Sequence, residues 1–225
     1  CKITSNFQNG LDVGCGAGLS TKALRLICDR VTGTDISEQM IQVCQEEYKN
    51  DKAYTFYRAK AEETKEPVEK YDIVTAAGMV NWVDRDLFLR NMGRVLWDQG
   101  ILLIYDFWIT DKMQGNDSYT NWYQNEYLKR FPKPPRNETI WKQEELPDDF
   151  QIKNQITYEL AYDFSMEQFI DFMMIQSNVN IKLESGAVNE KNARDWLEKS
   201  LTPVFENREK TLYFKGYNWY IYKLG

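Results

Sequence analysis

Leu11-Asp12-Val13-Gly14-Cys15-Gly16-Ala17-Gly18-Leu19-Ser20 is the stretch on which the fold turns. A short apolar run ends in glycines at alternate positions, and Leu19, Ala23, Leu24 and Ile27 then recur at helical spacing. That pattern is a strand entering a helix through a loop that can turn tightly and approach a ligand closely. The helix beyond it offers unpaired N–H groups and a partial positive charge, a natural seat for an anionic group. A plain turn between strand and helix normally needs one glycine. Three glycines in five residues, with Asp12 two places ahead of them, point to ligand binding.

Working outward, the chain alternates strand and helix patterns. Val31-Thr32-Gly33-Thr34 reads as a second strand, and Ser37 as the cap of a helix with Met40, Ile41, Val43 and Cys44 on one face. Tyr54 to Tyr57 and Tyr71 to Ala76 are a third and a fourth strand. Leu87, Phe88, Met92, Val95 and Leu96 form a helical stripe broken by Gly100, and Ile101 to Tyr105 is a fifth strand. Strands alternating with helices of this length imply an α/β, doubly wound parallel sheet. Residues 106 to 150 hold four of the six prolines and no clean strand, so they read as a cover inserted after strand five. Glu126 to Arg130 is expected to end a short helix there, and Lys129, Arg130, Lys133 and Arg136 could attract an anion. Ile152 to Tyr162 and Thr211 to Tyr222 alternate like strands. Between them lie a helix capped by Ser165, carrying Met166, Phe169, Ile170, Phe172 and Met173, and another from Asn189 to Leu201. The expected organisation is one domain over residues 1–225. It comprises a ligand-binding half (1–105), the cover (106–150), and strands and helices completing the sheet (151–225).

Composition narrows the chemistry. The 225 residues are enough for one sizeable core. There is no histidine, which excludes a Ser-His-Asp triad, a histidine general base and a histidine metal site. A net charge of -6 weighs against nucleic acid or an anionic membrane as the main partner. The four cysteines, Cys1, Cys15, Cys28 and Cys44, match no zinc spacing, so no metal is expected. They read as reduced thiols of a cytoplasmic protein. No apolar run approaches 18 residues. The chain begins at Cys1 rather than Met, which leaves room for a lost N-terminal segment. The expected state is a monomer or homodimer acting on a small molecule.

The ligand follows from the loop. A dinucleotide fingerprint is G-x-G-x-x-G, whereas here the spacing is G-x-G-x-G with Asp12 at the strand end. A pyrophosphate is poorly served by that carboxylate, and an ammonium group well served. S-adenosylmethionine, with an amino-acid end, fits better. Asp35, 17 residues after Gly18, closes the second strand, where an acid can take both ribose hydroxyls.

On these residues the sequence resembles a class I S-adenosylmethionine-dependent methyltransferase. The resemblance rests on Asp12 to Gly18, Thr34-Asp35-Ile36-Ser37, Ala61-Glu62, and Asp72 to Ala77. It implies a Rossmann-like sheet of seven strands with the last antiparallel. It also implies cofactor contacts from Asp12, Gly14, Cys15, Gly16, Gly18, Asp35, Ile36, Met40, Ala61, Glu62, Ala77, Gly78 and Trp82. The Asn81-Trp82 pair, Ser165 to Ile170, Gln176-Ser177, Asp195 to Leu197 and the final Tyr220 to Gly225 narrow it to a small-molecule branch like the trans-aconitate methyltransferases. Where that branch has a His-Trp pair, this chain has Asn81-Trp82. The resemblance points to Asn81, Trp82, Trp108 and Ser177 for the substrate.

Methyl transfer from a sulfonium is an in-line displacement with a good neutral leaving group, so the protein mainly positions and desolvates. A carboxylate can attack without a base; a phenol, alcohol or ammonium needs a proton acceptor. With no histidine, Asp106 and Tyr105 at the end of strand five, with Asp84 beside them, are the candidates for catalysis, and a carboxylate acceptor needs none of them. The alternatives are a protein or RNA methyltransferase, a non-catalytic S-adenosylmethionine-binding module, and, against the glycine spacing, a nicotinamide dehydrogenase.

Overall fold

The computed structural model describes residues 7–135 and 140–225. Cys1 and Arg136, for which the sequence carries expectations, lie outside them. The chain divides into two compact units. The first comprises residues 1–106, 137–157 and 217–225, and the second comprises 107–136 and 158–216.

In the first unit, β1 (Phe7–Val13), α1 (Leu19–Arg25), β2 (Cys28–Asp35), α2 (Glu38–Glu47), β3 (Tyr54–Arg58), β4 (Tyr71–Ala77) and α3 (Arg85–Val95) follow one another and lead into β5 (Leu96–Met113). Parallel pairing sets the order β3-β2-β1-β4-β5. β1 is central, with Asp12 opposite Gly33 on one side and Thr75 on the other. Gly10 explains why so central a strand has a polar start. A Cβ there would lie 2.7 Å from Cys28 Sγ and 2.8 Å from Leu24, so only glycine lets α1 pack against β1. Ser37 caps α2 by accepting from Met40 N, and Asp84 caps α3 by accepting from Leu87 N. On α2 only Ile41 and Cys44 face the core. Met40 and Val43, expected beside them, are exposed, because a helix lying flat on a sheet buries only a narrow stripe. The core of this unit gathers Leu11, Val74, Phe88, Met92, Leu102, Trp141 and Ile221.

The long strands depart from the sequence expectation. Leu96 begins β5 rather than closing α3, and β5 runs to Met113 through residues expected to be irregular cover. The exposed pairs Phe107-Trp108 and Trp97-Asp98 interrupt its buried positions and hide the strand alternation. The second unit continues with α4 (Asp117–Trp122), a π-helical turn (Tyr123–Tyr127) and α5 (Leu128–Arg130). After β6 (Phe150–Phe164) come α6 (Met166–Met174), α7 (Ser177–Glu184), α8 (Glu190–Phe205) and β7 (Lys210–Lys223). Ser165 and Gln168 form the capping box that starts α6. The aromatic core of this unit includes Tyr119, Trp122, Tyr127, Phe131, Phe169 and Phe205.

The full sheet order is β3-β2-β1-β4-β5-β7-β6. β7 runs against β5: Thr110 Oγ1 donates to Tyr213 O, and Gln114 N to Thr211 O, so numbers rise on one strand as they fall on the other. This is the seven-stranded α/β sheet with an antiparallel last strand that the sequence predicts. Among the described residues no helix is long and apolar enough to cross a membrane.

Phe88 is fully buried and meets the Trp141 ring edge-on at 6.1 Å between centroids. Phe88→Ala is expected to cost about 3–5 kcal/mol in a urea unfolding transition, through lost burial and the cavity left behind. A loss under about 1 kcal/mol would show that the site collapses freely.

Candidate functional site

The glycine loop is built on a buried carboxylate. Asp12 is fully buried, and its oxygens accept from three hydroxyls. Ser20 Oγ and Thr21 Oγ1, both at 2.6 Å, come from α1, and Thr75 Oγ1, at 2.8 Å, comes from β4. The parallel register that puts Thr75 opposite Asp12 makes the third of these possible. Burial pushes the Asp12 carboxyl above its usual range, and the three hydroxyls pull it back only in part. Asp12 therefore ties β1, α1 and β4 together and does not line the cavity described below. The ammonium contact expected of it is not what the geometry offers, because its acceptor sites face hydroxyls inside the fold.

Asp35 at the end of β2 works on the same loop from the other side. Its Oδ2 accepts from Gly16 N at 2.9 Å and its Oδ1 from Ser37 N at 2.8 Å. A carboxylate has about four lone-pair sites, so acceptor capacity remains on the face toward the cavity. Cys15 and Cys44, both buried, point their thiols at Gly16 O, at 3.7 and 3.2 Å. Burial raises both thiols, and Asp12 and Asp35 add to the effect, so neither is a ready thiolate. Cys28 is likewise free and buried, and burial pushes it up to about 12.

A cavity of about 460 Å³ opens at the C-terminal ends of β1, β2 and β4. That volume falls within the range of small-molecule sites, about 300–1,000 Å³. Its lining brings together Gly14, Asp35, Ile36, Ala61, Glu62, Ala77, Gly78 and Trp82, all predicted from the sequence. Ala59, Lys60, Met79 and Val83 complete it. Gly14 has φ +69°, and a Cβ there would lie 2.7 Å from Met79 Cγ, so the close approach belongs to this glycine. Gly16 (φ +51°) and Gly18 (φ +87°) are outside the lining and serve the turn of the chain. Cys15 is packed beneath the loop, and Met40 sits on the exposed side of α2; neither lines the cavity.

Gly78 N donates to Tyr105 O at 2.9 Å, and a Cβ on Gly78 would stand 3.3 Å from Asp106 Oδ1. The half-buried Asp106 carboxylate therefore lies beside the wall formed by Ala77 and Gly78. Asn81 is half-buried, and Trp82, half exposed, forms part of the rim. Trp108 and Ser177 belong to the second unit, Trp108 on the exposed face of β5 and Ser177 at the start of α7, and neither lines the cavity. Among the described residues no group of three or more Cys, Asp or Glu side chains could hold a metal ion.

Residues 11–104 match the family of methyltransferase domains. The match covers 94 of the 225 residues. Within it the glycine loop, Asp35 and the Ala61-Glu62 segment, found above on one cavity, occupy their expected order along the sheet. The ubiquinone biosynthesis O-methyltransferase of Pelagibacter ubique is 30% identical over 95 residues, 42% of this chain and 40% of its own. A ubiquinone/menaquinone biosynthesis C-methyltransferase of Shewanella sediminis is 37% identical over 105 residues, 43% of this chain and 41% of its own. The chain thus spans about two fifths of the length of these curated relatives. A solved structure from Anaeromyxobacter dehalogenans, provisionally assigned as a type II methyltransferase, shares the fold. It has a TM-score of 0.70 and 21% identity, over 96% of this chain and 89% of that one.

The cofactor of class I methyltransferases is S-adenosylmethionine, and the cavity fits that group. It has a carboxylate with spare acceptor sites at Asp35, apolar walls at Ile36, Ala59, Ala61 and Val83 suited to a flat base, and glycines where bulk is excluded.

Two outcomes are expected. Gly14→Ala should reduce binding of S-adenosylhomocysteine at least tenfold in calorimetry, because the new Cβ collides with Met79 and the φ of +69° is strained. Asp12→Asn should gain thermal stability relative to the unchanged protein as pH rises above about 4, the usual carboxylate pKa. A carboxyl raised in the folded state favours folding while protonated, and that advantage is lost as pH rises through its folded pKa. A melting-temperature difference that stays constant between about pH 4 and 7 would contradict it.

Proposed function

We propose that the protein transfers a methyl group from S-adenosylmethionine to a small-molecule acceptor. The observation that carries this is the cavity in which Gly14, Asp35, Glu62, Ala77 and Gly78 converge, inside a segment that matches a methyltransferase domain. When bound, S-adenosylmethionine supplies an activated methyl group on a sulfonium, open to in-line displacement. Asp35 would hold the ribose hydroxyls with the lone pairs left over from Gly16 N and Ser37 N. Ile36, Ala59, Ala61 and Val83 would exclude water around the base, and Glu62 on the same lining would offer it a polar partner. Asp12 holds the loop in place through its three hydroxyl partners. The small residues Ala77 and Gly78 leave room for the reacting centre, as short side chains must if attacking and leaving atoms are to align.

We further propose a carboxylate acceptor. The chain has no histidine, and a carboxylate attacks in its ordinary ionised form. Asp106, beside Gly78, supports a second reading. A hydroxyl or carbon acid would need its proton removed, and Asp106 stands where that base would be. The O- and C-methyltransferase names of the quinone-pathway relatives favour such acceptors.

Asp35→Ala is expected to weaken S-adenosylhomocysteine binding by about 1–3 kcal/mol through loss of charge-assisted hydrogen bonds. Unchanged affinity in calorimetry would remove Asp35 from the site. With methyl-labelled cofactor and a metabolite extract, the label should enter an acidic metabolite as an ester that mild alkali releases. Asp106→Asn should then leave the rate within about threefold. Alkali-stable label, together with a rate loss of about 10²-fold or more in Asp106→Asn, would favour the hydroxyl or carbon acceptor instead.

A further inference from the structure

The chain between β3 and β4 has one short 3-10 turn, Ala61–Glu63, and otherwise no regular structure, yet it forms a wall of the cavity through Lys60, Ala61 and Glu62. An irregular segment needs partners for its backbone carbonyls, and here they come from two residues of α3. Asn91 Nδ2 donates to Ala61 O at 2.8 Å and to Thr64 Oγ1 at 2.9 Å. Its Oδ1 accepts from Arg94 Nη2 at 2.8 Å. Arg94 in turn donates to Thr64 O at 2.7 Å and to Glu66 O. Within the same turn, Asp84 N donates to Glu62 Oε1 at 3.2 Å, tying the acid of the cavity wall to the start of α3.

Asn91 stands out on its helix. The other buried residues of α3 are Phe88, Leu89, Met92 and Val95, all apolar. A buried amide amid such neighbours is costly unless its polar atoms are satisfied, and here both its nitrogen and its oxygen bond to the strap or to the arginine that holds the strap. Thr64, its hydroxyl partner, is buried as well.

We propose that Asn91 is a positioning residue for nucleobase recognition. It fixes the backbone of Ala61 so that Glu62 and the neighbouring backbone meet the edge of the base in one register. Arg94 and Thr64 complete the brace. The inference rests on the cofactor reading above and goes beyond it, because Asn91 does not line the cavity.

Binding of 5′-methylthioadenosine and of its 6-oxo counterpart, 5′-methylthioinosine, to the full chain tests this by calorimetry. The unchanged protein should prefer the adenine compound at least tenfold. Asn91→Asp keeps the acceptor for Arg94 and loses both donors to the strap. It should bind the adenine compound at least tenfold more weakly and the 6-oxo compound less than threefold more weakly, so that discrimination largely disappears. Thr64→Val, which removes one hydroxyl in a nearly isosteric change, should shift the ratio the same way by a smaller factor, and it serves if the Asn91→Asp variant does not fold. A merely structural role would lower stability and both affinities together and leave the ratio unchanged. That result in a folded variant would overturn the proposal. Failure of the unchanged protein to bind either nucleoside would instead overturn the cofactor reading beneath it.

Discussion

The site depends on one carboxylate taken out of water. Asp12 sits in the central strand with no exposed surface, and three hydroxyls from two other elements close around it. A carboxyl group in that position is tolerable only because three O–H groups stand in for the water it has lost, and even so burial favours its protonated form. The consequence is geometric. Ser20 and Thr21 fix where α1 begins, Thr75 fixes β4 against β1, and the glycines between β1 and α1 have one path left. A network satisfied in one arrangement and unsatisfied in any other gives the loop a single shape before a ligand arrives.

Asp35 extends that arrangement outward. One oxygen holds Gly16 N and the other holds Ser37 N, so the same carboxylate braces the loop, starts the turn into α2 and presents its remaining acceptor capacity to the cavity. The opposite wall is braced by other means. It lacks regular structure, and the polar side chains of α3 hold its carbonyls. Rigid strands on one side and a side-chain-braced strap on the other make a cavity whose shape is set before it is filled, which limits the ordering cost of binding.

Much of this was legible in the residue pattern. The strand-loop-helix of residues 11 to 25, the caps at Ser37 and Ser165 and the alternation in Ile152 to Tyr162 all depend on neighbours within a few positions, and local chemistry decides them. β5 was less legible. Its true extent crosses Gly100 and the exposed Phe107-Trp108 pair, and pairing with β4 and β7, not local pattern, keeps it extended. The helix face of Met40 and Val43 was overestimated for a similar reason, since the sheet covers less of α2 than apolarity alone suggests.

The sequence by itself determined the fold class and the strand-loop-helix that opens the site, while its resemblance to a known family pointed to most of the cavity lining. Glycine spacing, strand-end acids and hydrophobic period are written in short stretches, and backbone sterics read them the same way in any context. Only the tertiary structure decided what each acid does. Asp12 and Asp35 look alike in sequence, each an acid closing a strand. One lies between strands opposite three hydroxyls, and the other lies at a strand end with a free side toward the cavity. The difference comes from the register of β1 against β4 and the stagger of strand ends. The first is set by partners more than sixty residues apart and the second by partners about twenty apart, both beyond the reach of a local pattern.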